Sequence, residues 1–138
     1  MGMEGRVEYL YPEGLFRSRA YTPVVAVSGN VKTIYVGGTN AVDAAGQIIG
    51  KGDLAAQTTQ VLKNIETALA TAGARLEHVV KWTVYVVQGQ SSMAGFEAFL
   101  RYWGDRPNPP ALTVVFVAGL ADPNFLVEIE AIAVVPEP

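Results

Sequence analysis

Between residues 54 and 72, small and apolar positions recur at steps of three and four: Leu54, Thr58, Val61, Leu62, Ile65, Ala68, Leu69 and Ala72. That is the period of an α-helix, and it gathers these side chains on one stripe. Asp53 stands where an N-cap accepts the first free N–H groups, and Gly73 where a left-handed C′ residue ends a helix. Gln60, Lys63, Asn64 and Thr67 fall on the opposite side and read as the solvated face. A shorter helix is predicted over residues 92–103, with Met93, Phe96, Phe99, Leu100 and Trp103 turned inward.

Elsewhere the period drops to two, the signature of strands. Strands are predicted over residues 6–11, 24–28, 32–37, 79–88, 112–118 and 126–135. Gly29-Asn30 is a tight-turn dipeptide and predicts a hairpin between the second and third strands. Gly37-Gly38 closes the third strand where backbone can approach closely, and residues 40–50 form a loop with a small hairpin arm around Gly46. Residues 105–110 contain three prolines and must be irregular. The order β-β-β-α-β-α-β-β describes one α+β domain over residues 1–138. Right-handed crossovers then place both helices on one face of a mixed sheet.

The uncovered face has a readable composition. The last strand alternates Val127, Ile129, Ala131, Ala133 and Val135 with Leu126, Glu128, Glu130, Ile132 and Val134. The strand before it alternates Leu112, Val114, Phe116 and Ala118 with Thr113, Val115 and Val117. Both sides are too apolar for a sheet with one wet face, which predicts a homo-oligomer that covers it.

Composition narrows the chemistry. Half of the 138 residues are hydrophobic and 17% are charged, so the chain can bury a core. The net charge is -3 with no cluster of Lys or Arg, so no nucleic-acid partner is expected. Cysteine is absent and His78 is the one histidine, which excludes thiolate metal sites and a Cys–His nucleophile. No apolar run approaches the roughly 20 residues of a membrane span, and no signal-peptide core precedes the first strand. A cytoplasmic protein is expected. Neither Gly-x-Gly-x-x-Gly nor a phosphate-binding Lys-Ser/Thr loop occurs, so no cofactor is expected.

The helix segment Gln57-Thr58-Thr59-Gln60-Val61-Leu62-Lys63-Asn64-Ile65 and the strand Val79-Val80-Lys81-Trp82-Thr83-Val84-Tyr85-Val86 resemble the Rid/YjgF family, also described as endoribonuclease L-PSP-like. Pro110-Ala111 and Val127-Glu128-Ile129-Glu130-Ala131-Ile132-Ala133 are similar to its C-terminal signature, and the likeness spans residues 21–135. It implies a chorismate-mutase-like subunit, a barrel-forming homotrimer, and small-molecule clefts between subunits. Many members hydrolyse reactive enamines and imines.

Family deaminases continue Pro-Ala with an arginine that grips the substrate carboxylate through two parallel hydrogen bonds. Here Leu112 holds that position. The resemblance makes Glu128 the candidate catalytic residue, orienting a water. It makes Tyr21, Gly37, Gly38, Leu112, Thr113 and Val114 candidate ligand contacts. An asparagine expected in the second helix is matched by Met93, read as a core contact. Glu128 is expected to be flanked by Leu112, Val114 and Phe116, an apolar setting that would suit acid–base work. Arg101 and Arg106 are not placed to replace the missing guanidinium, whereas Arg17 and Arg19 on the N-terminal segment are alternatives. Lys81 is read as a surface lysine rather than a Schiff-base former, and His78 as a capping group.

The leading expectation is a ligand-binding trimer that is not a standard 2-imino acid deaminase. The alternatives are a deaminase or hydrolase that uses Glu128 and water on a substrate without a carboxylate, and a chaperone-like interaction protein. A ribonuclease activity would lack a histidine pair and a basic groove.

Overall fold

The computed structural model describes residues 3–138. Among these the chain forms β1 (Arg6–Leu10), β2 (Val24–Ser28), β3 (Val31–Thr39), α1 (Leu54–Thr71), a 3-10 turn (Leu76–His78), β4 (Val79–Val87), α2 (Ser92–Trp103), β5 (Ala111–Val117) and β6 (Val127–Pro136). The main sheet runs β3-β6-β4-β5, with β6 antiparallel to both neighbours and β4 parallel to β5. It is therefore mixed, and both helices return over the same face.

The hairpin predicted at Gly29-Asn30 does not form. β2 pairs antiparallel with β1, and β3 crosses into the main sheet to pair with β6. The reason is competition for an edge: ten-residue β6 offers nine-residue β3 a longer ladder than five-residue β2 can. Gly29, at φ +76°, makes the turn between sheets. The N-terminal arm locks it, because Asn30 N–H donates to Met3 O at 2.8 Å and Glu137 N–H to Asn30 O at 2.9 Å.

The core lies between α1 and the sheet. Val61, Leu62, Ile65 and Leu69 of α1 pack in one cluster with Trp82 of β4 and Val127, Ile129, Ala131 and Ala133 of β6. Burying each large aliphatic side chain contributes about 1.5–3 kcal/mol. The helix ends follow the sequence reading. Asp53 Oδ1 accepts from Ala56 N–H at 3.1 Å, and Gly73 takes φ +75° while Ala74 N–H reaches back to Leu69 O at 3.0 Å. Lys32 adds a cation at the negative helix end, its Nζ donating to Ala72 O at 2.6 Å.

The inward side of α2 differs from the prediction. Ala98, Phe99 and Trp103 are buried, but Met93 is 59% exposed and is no core contact; Phe96 and Leu100 are also exposed. Gly95 explains this. A Cβ there would fall 3.1 Å from Leu54 Cδ2 and 3.5 Å from Thr58 Oγ1, so the first half of α2 rests on α1. Its flanking apolar side chains are left standing over open sheet.

Candidate functional site

Strand register sorts the site residues onto two faces. Trp82, Val84 and Val86 pair with Leu112, Val114 and Phe116, and Val84 and Val86 also with Ile129 and Val127; this is the helix side. Lys81, Thr83, Tyr85, Thr113, Val115, Glu128 and Glu130 share the open side by alternation. Glu128 therefore does not stand among Leu112, Val114 and Phe116. The expected apolar flank lies across the sheet from it, because adjacent strands in register keep their alternation in phase.

What surrounds Glu128 instead is backbone and amide. β3 runs through Gly37-Gly38 rather than ending there, and carries one extra residue between Val36, opposite Ala131, and Thr39, opposite Ile129. That bulge bends β3 over the half-buried Glu128. A Cβ built on Gly38 would fall 2.9 Å from Glu128 Cδ and closer still to Oε2, so a larger residue fits only if the Glu128 side chain moves aside.

Asn40, immediately after the bulge, donates through Nδ2 to Glu128 Oε1 at 3.2 Å and to Val127 O at 3.4 Å. Asn64 Nδ2 in turn donates to Asn40 O at 3.0 Å and Val42 O at 2.8 Å, while Gln60 Nε2 donates to Asn64 Oδ1 at 2.9 Å. Asn64 and Gln60 are thus half-buried members of a network and not a solvated face. Sequence reasoning missed Asn40 and misplaced Asn64. The available signal was an asparagine midway along α1, a poor helix former kept where its amide reaches a loop.

The rest of the open face is polar in part. Tyr85 OH donates to Glu130 Oε1 at 2.8 Å, and the phenol is held above its ordinary pKa chiefly by that bond, then by burial and by the charges of Glu130 and Glu128. Lys81 Nζ donates to Thr113 Oγ1 at 2.6 Å, which ties a candidate ligand contact to the lysine. No Lys or Arg pairs with Glu128 or Glu130 among the described residues; the ion pairs are Arg6–Glu8, Arg106–Glu66 and Arg106–Glu77.

The arginines that the sequence analysis considered, Arg17, Arg19, Arg101 and Arg106, lie away from Glu128. Arg106 closes α2, donating through Nη1 to Tyr102 O at 2.7 Å and Trp103 O at 2.9 Å. Arg17 stacks over the Tyr11 ring, 4.1 Å from its centroid, and Arg19 and Arg101 are exposed. Tyr21 adjoins Thr22, which is fully buried and donates its backbone N–H to Pro110 O at 3.2 Å. That clamp places Tyr21 at the Leu112 end of β5. His78 caps its own turn, Nδ1 accepting from Arg75 N–H at 2.9 Å, and burial followed by the Arg75 charge lowers its pKa.

On the helix side, where α2 stands off, an open groove of about 290 Å³ runs between α2 and β5. Leu112, Val114 and Phe116 form one wall, Met93 and Phe96 the other, with Val84 and Ile129 beneath. Val114 is 48% and Phe116 51% exposed. The Thr58 hydroxyl at its end is committed to Leu54 O at 2.8 Å. Nothing in these walls carries charge. Among the described residues no three His, Cys, Asp or Glu gather as a metal ion would need, and no helix is long and apolar enough to cross a membrane.

Known proteins resemble this chain along most of its length. The family model described as Endoribonuclease L-PSP matches residues 16–135. The chain is 36% identical over 124 residues to the RutC family protein PYRAB12510 of Pyrococcus abyssi, covering 88% of this chain and 95% of that protein. Its fold is similar to that of YyfB from Yersinia pestis, a Rid family protein of unknown function, at TM-score 0.82 and 32% identity, covering 92% of this chain and 97% of that one. The YjgF gene product of E. coli is similar at TM-score 0.67 and 30% identity, covering 74% and 80%.

Proposed function

Because the chain belongs to the Endoribonuclease L-PSP family, that of the Rid/YjgF proteins, we propose that it is a small-molecule-binding homotrimer and not a standard 2-imino acid deaminase. The observation that carries this reading is the character of the groove at Leu112. The position matching the family's arginine opens on hydrocarbon walls, and the arginines of this chain are engaged or exposed elsewhere. A charge-assisted hydrogen bond is worth about 1.5–3 kcal/mol, so losing a bidentate pair weakens carboxylate binding by orders of magnitude. The ligand is then uncharged or largely apolar.

A cleft between subunits accounts for the opposite facing of Leu112 and Glu128. The helix-side groove of one protomer would meet the open face of its neighbour, with Thr113, Gly37, Gly38 and Tyr21 at the margins. The exposed apolar side chains of β5 support such a contact.

A second reading, hydrolysis of an imine or enamine without a carboxylate, is favoured by the Asn40–Glu128 bond. One carboxylate oxygen is fixed by the amide, so Glu128 is oriented to hold a water while backbone amides near Gly38 polarise the substrate.

The test is ammonia release from 2-iminobutyrate together with light scattering. A particle of three times the subunit mass and negligible release are expected, with Leu112→Arg raising the release at least tenfold. Release by the unaltered protein at the rate of arginine-bearing relatives would overturn the reading of Leu112. A monomer would overturn the trimer.

A further inference from the structure

One face of α2 turns toward the groove. Ser92, Gly95, Phe96 and Phe99 stand at positions that share a side of a helix, and all four line it. Ser92 is the polar member of that face. Its hydroxyl is exposed at the N-terminal end of α2 and makes no hydrogen bond to another group among the described residues.

Thr58 of α1 brings the second hydroxyl in the lining. Its proton is given to Leu54 O at 2.8 Å, so toward a ligand its oxygen can only accept. Gly95 leaves that oxygen uncovered, since a Cβ there would fall 3.5 Å from Thr58 Oγ1. Ser92 lies one turn before Gly95, and successive turns are roughly 5–6 Å apart on a helix surface. Both hydroxyls therefore belong to the same end of the groove, where α2 rests on α1. Away from that end, Val84, Leu112, Val114 and Phe116 present hydrocarbon alone. The volume of about 290 Å³ would hold roughly ten waters, which sets the scale of a compact ligand.

We propose that this groove takes a compact hydrocarbon ligand bearing one hydroxyl, which accepts from Ser92 Oγ and donates to Thr58 Oγ1. The inference rests on the proposed binding role of the groove and adds the chemical class of the ligand and the end at which its polar group sits. A hydroxyl matches because it both gives and receives, as the two side chains together require. An ether can accept from Ser92 but brings no proton for Thr58. A carboxylate is excluded, because it would lose its hydration against walls that return one neutral donor and face it with an acceptor.

The experiment is an NMR titration of the whole protein, labelled with 13C at methyl groups, with cyclohexylmethanol, its isomer methoxycyclohexane, and cyclohexanecarboxylate. Cyclohexylmethanol is expected to shift the Leu112, Val114 and Met93 methyls and to bind at least fivefold more tightly than the ether; the carboxylate should shift none of them. Ser92→Ala, a change at an exposed position, should weaken the alcohol and the ether alike by threefold or more. Thr58→Val should weaken the alcohol alone and bring it within twofold of the ether. If the alcohol and the ether shift the methyls with equal affinity and Ser92→Ala alters neither, the hydroxyls make no contact with ligand, and the inference fails while the groove's binding role stands. If no probe reaches the methyls, the binding role itself is overturned.

Discussion

The carboxylate of Glu128 occupies the space that a side chain at residue 38 would need, Cδ lying 2.9 Å from where the Cβ would be. The two residues belong to different strands and are 90 positions apart, yet each constrains the other. Gly38 supplies the missing volume and the bulge supplies the bend. Gly38→Ala should therefore destabilise the fold by about 1–3 kcal/mol through overcrowding. Glu128→Ala in the same chain should recover most of that loss. Urea denaturation of the four members of the cycle checks it; additive effects would mean that the two side chains do not share one space.

Gln57 holds three segments with one amide. It is fully buried, donates to Gly50 O at 3.2 Å and Asn124 O at 2.8 Å, and accepts from Leu126 N–H at 2.9 Å. Gln57→Leu keeps the approximate volume but strands three backbone groups. With about 1–3 kcal/mol for each group left unpaired, a loss of at least 3 kcal/mol is expected in the denaturation free energy. A change below 1 kcal/mol would show that the clamp is dispensable.

His78 gives the chain a pH dependence of known sign. Its pKa is lowered from 6.5 by burial and by Arg75, so the folded state favours the neutral ring, which alone can accept from Arg75 N–H. Stability from this cap is fully present above pH 6.5 and is lost as pH falls through the lower folded value. His78→Asn offers an acceptor at every pH. Thermal melts of the two proteins should run parallel above pH 7, and the unaltered protein should lose more between pH 6.5 and 5.

Tyr102 gives a dependence at the alkaline end. Its hydroxyl donates to Glu66, and burial, that bond and the Glu66 charge push its pKa up to about 12. A raised value means that the folded state holds the proton more tightly, so stability is present below pH 10 and falls as pH rises toward 12. In an ultraviolet titration of the six tyrosines, Tyr102→Phe should remove the component that ionises last. Loss of an early component instead would place the Glu66 bond on another phenol.

Local pattern alone determined a good part of this protein. The three- and four-residue step of α1, its caps Asp53 and Gly73, the alternation of β4, β5 and β6, and the irregular proline segment all rest on interactions within a few residues of one another. Tertiary structure decided the rest. Pairing of β3 with β6 overrode the Gly29-Asn30 hairpin, because a longer ladder outcompetes a short one regardless of the turn. The contact of Gly95 with α1 turned Met93 and Phe96 from core into groove walls. The phase of three paired strands set Glu128 and Leu112 on opposite faces, and chain folding alone brought Asn40, Asn64 and Gly38 to the carboxylate. Periodicity reports which side of an element is apolar; which partner covers that side depends on groups far apart in the chain, and no local signal carries it.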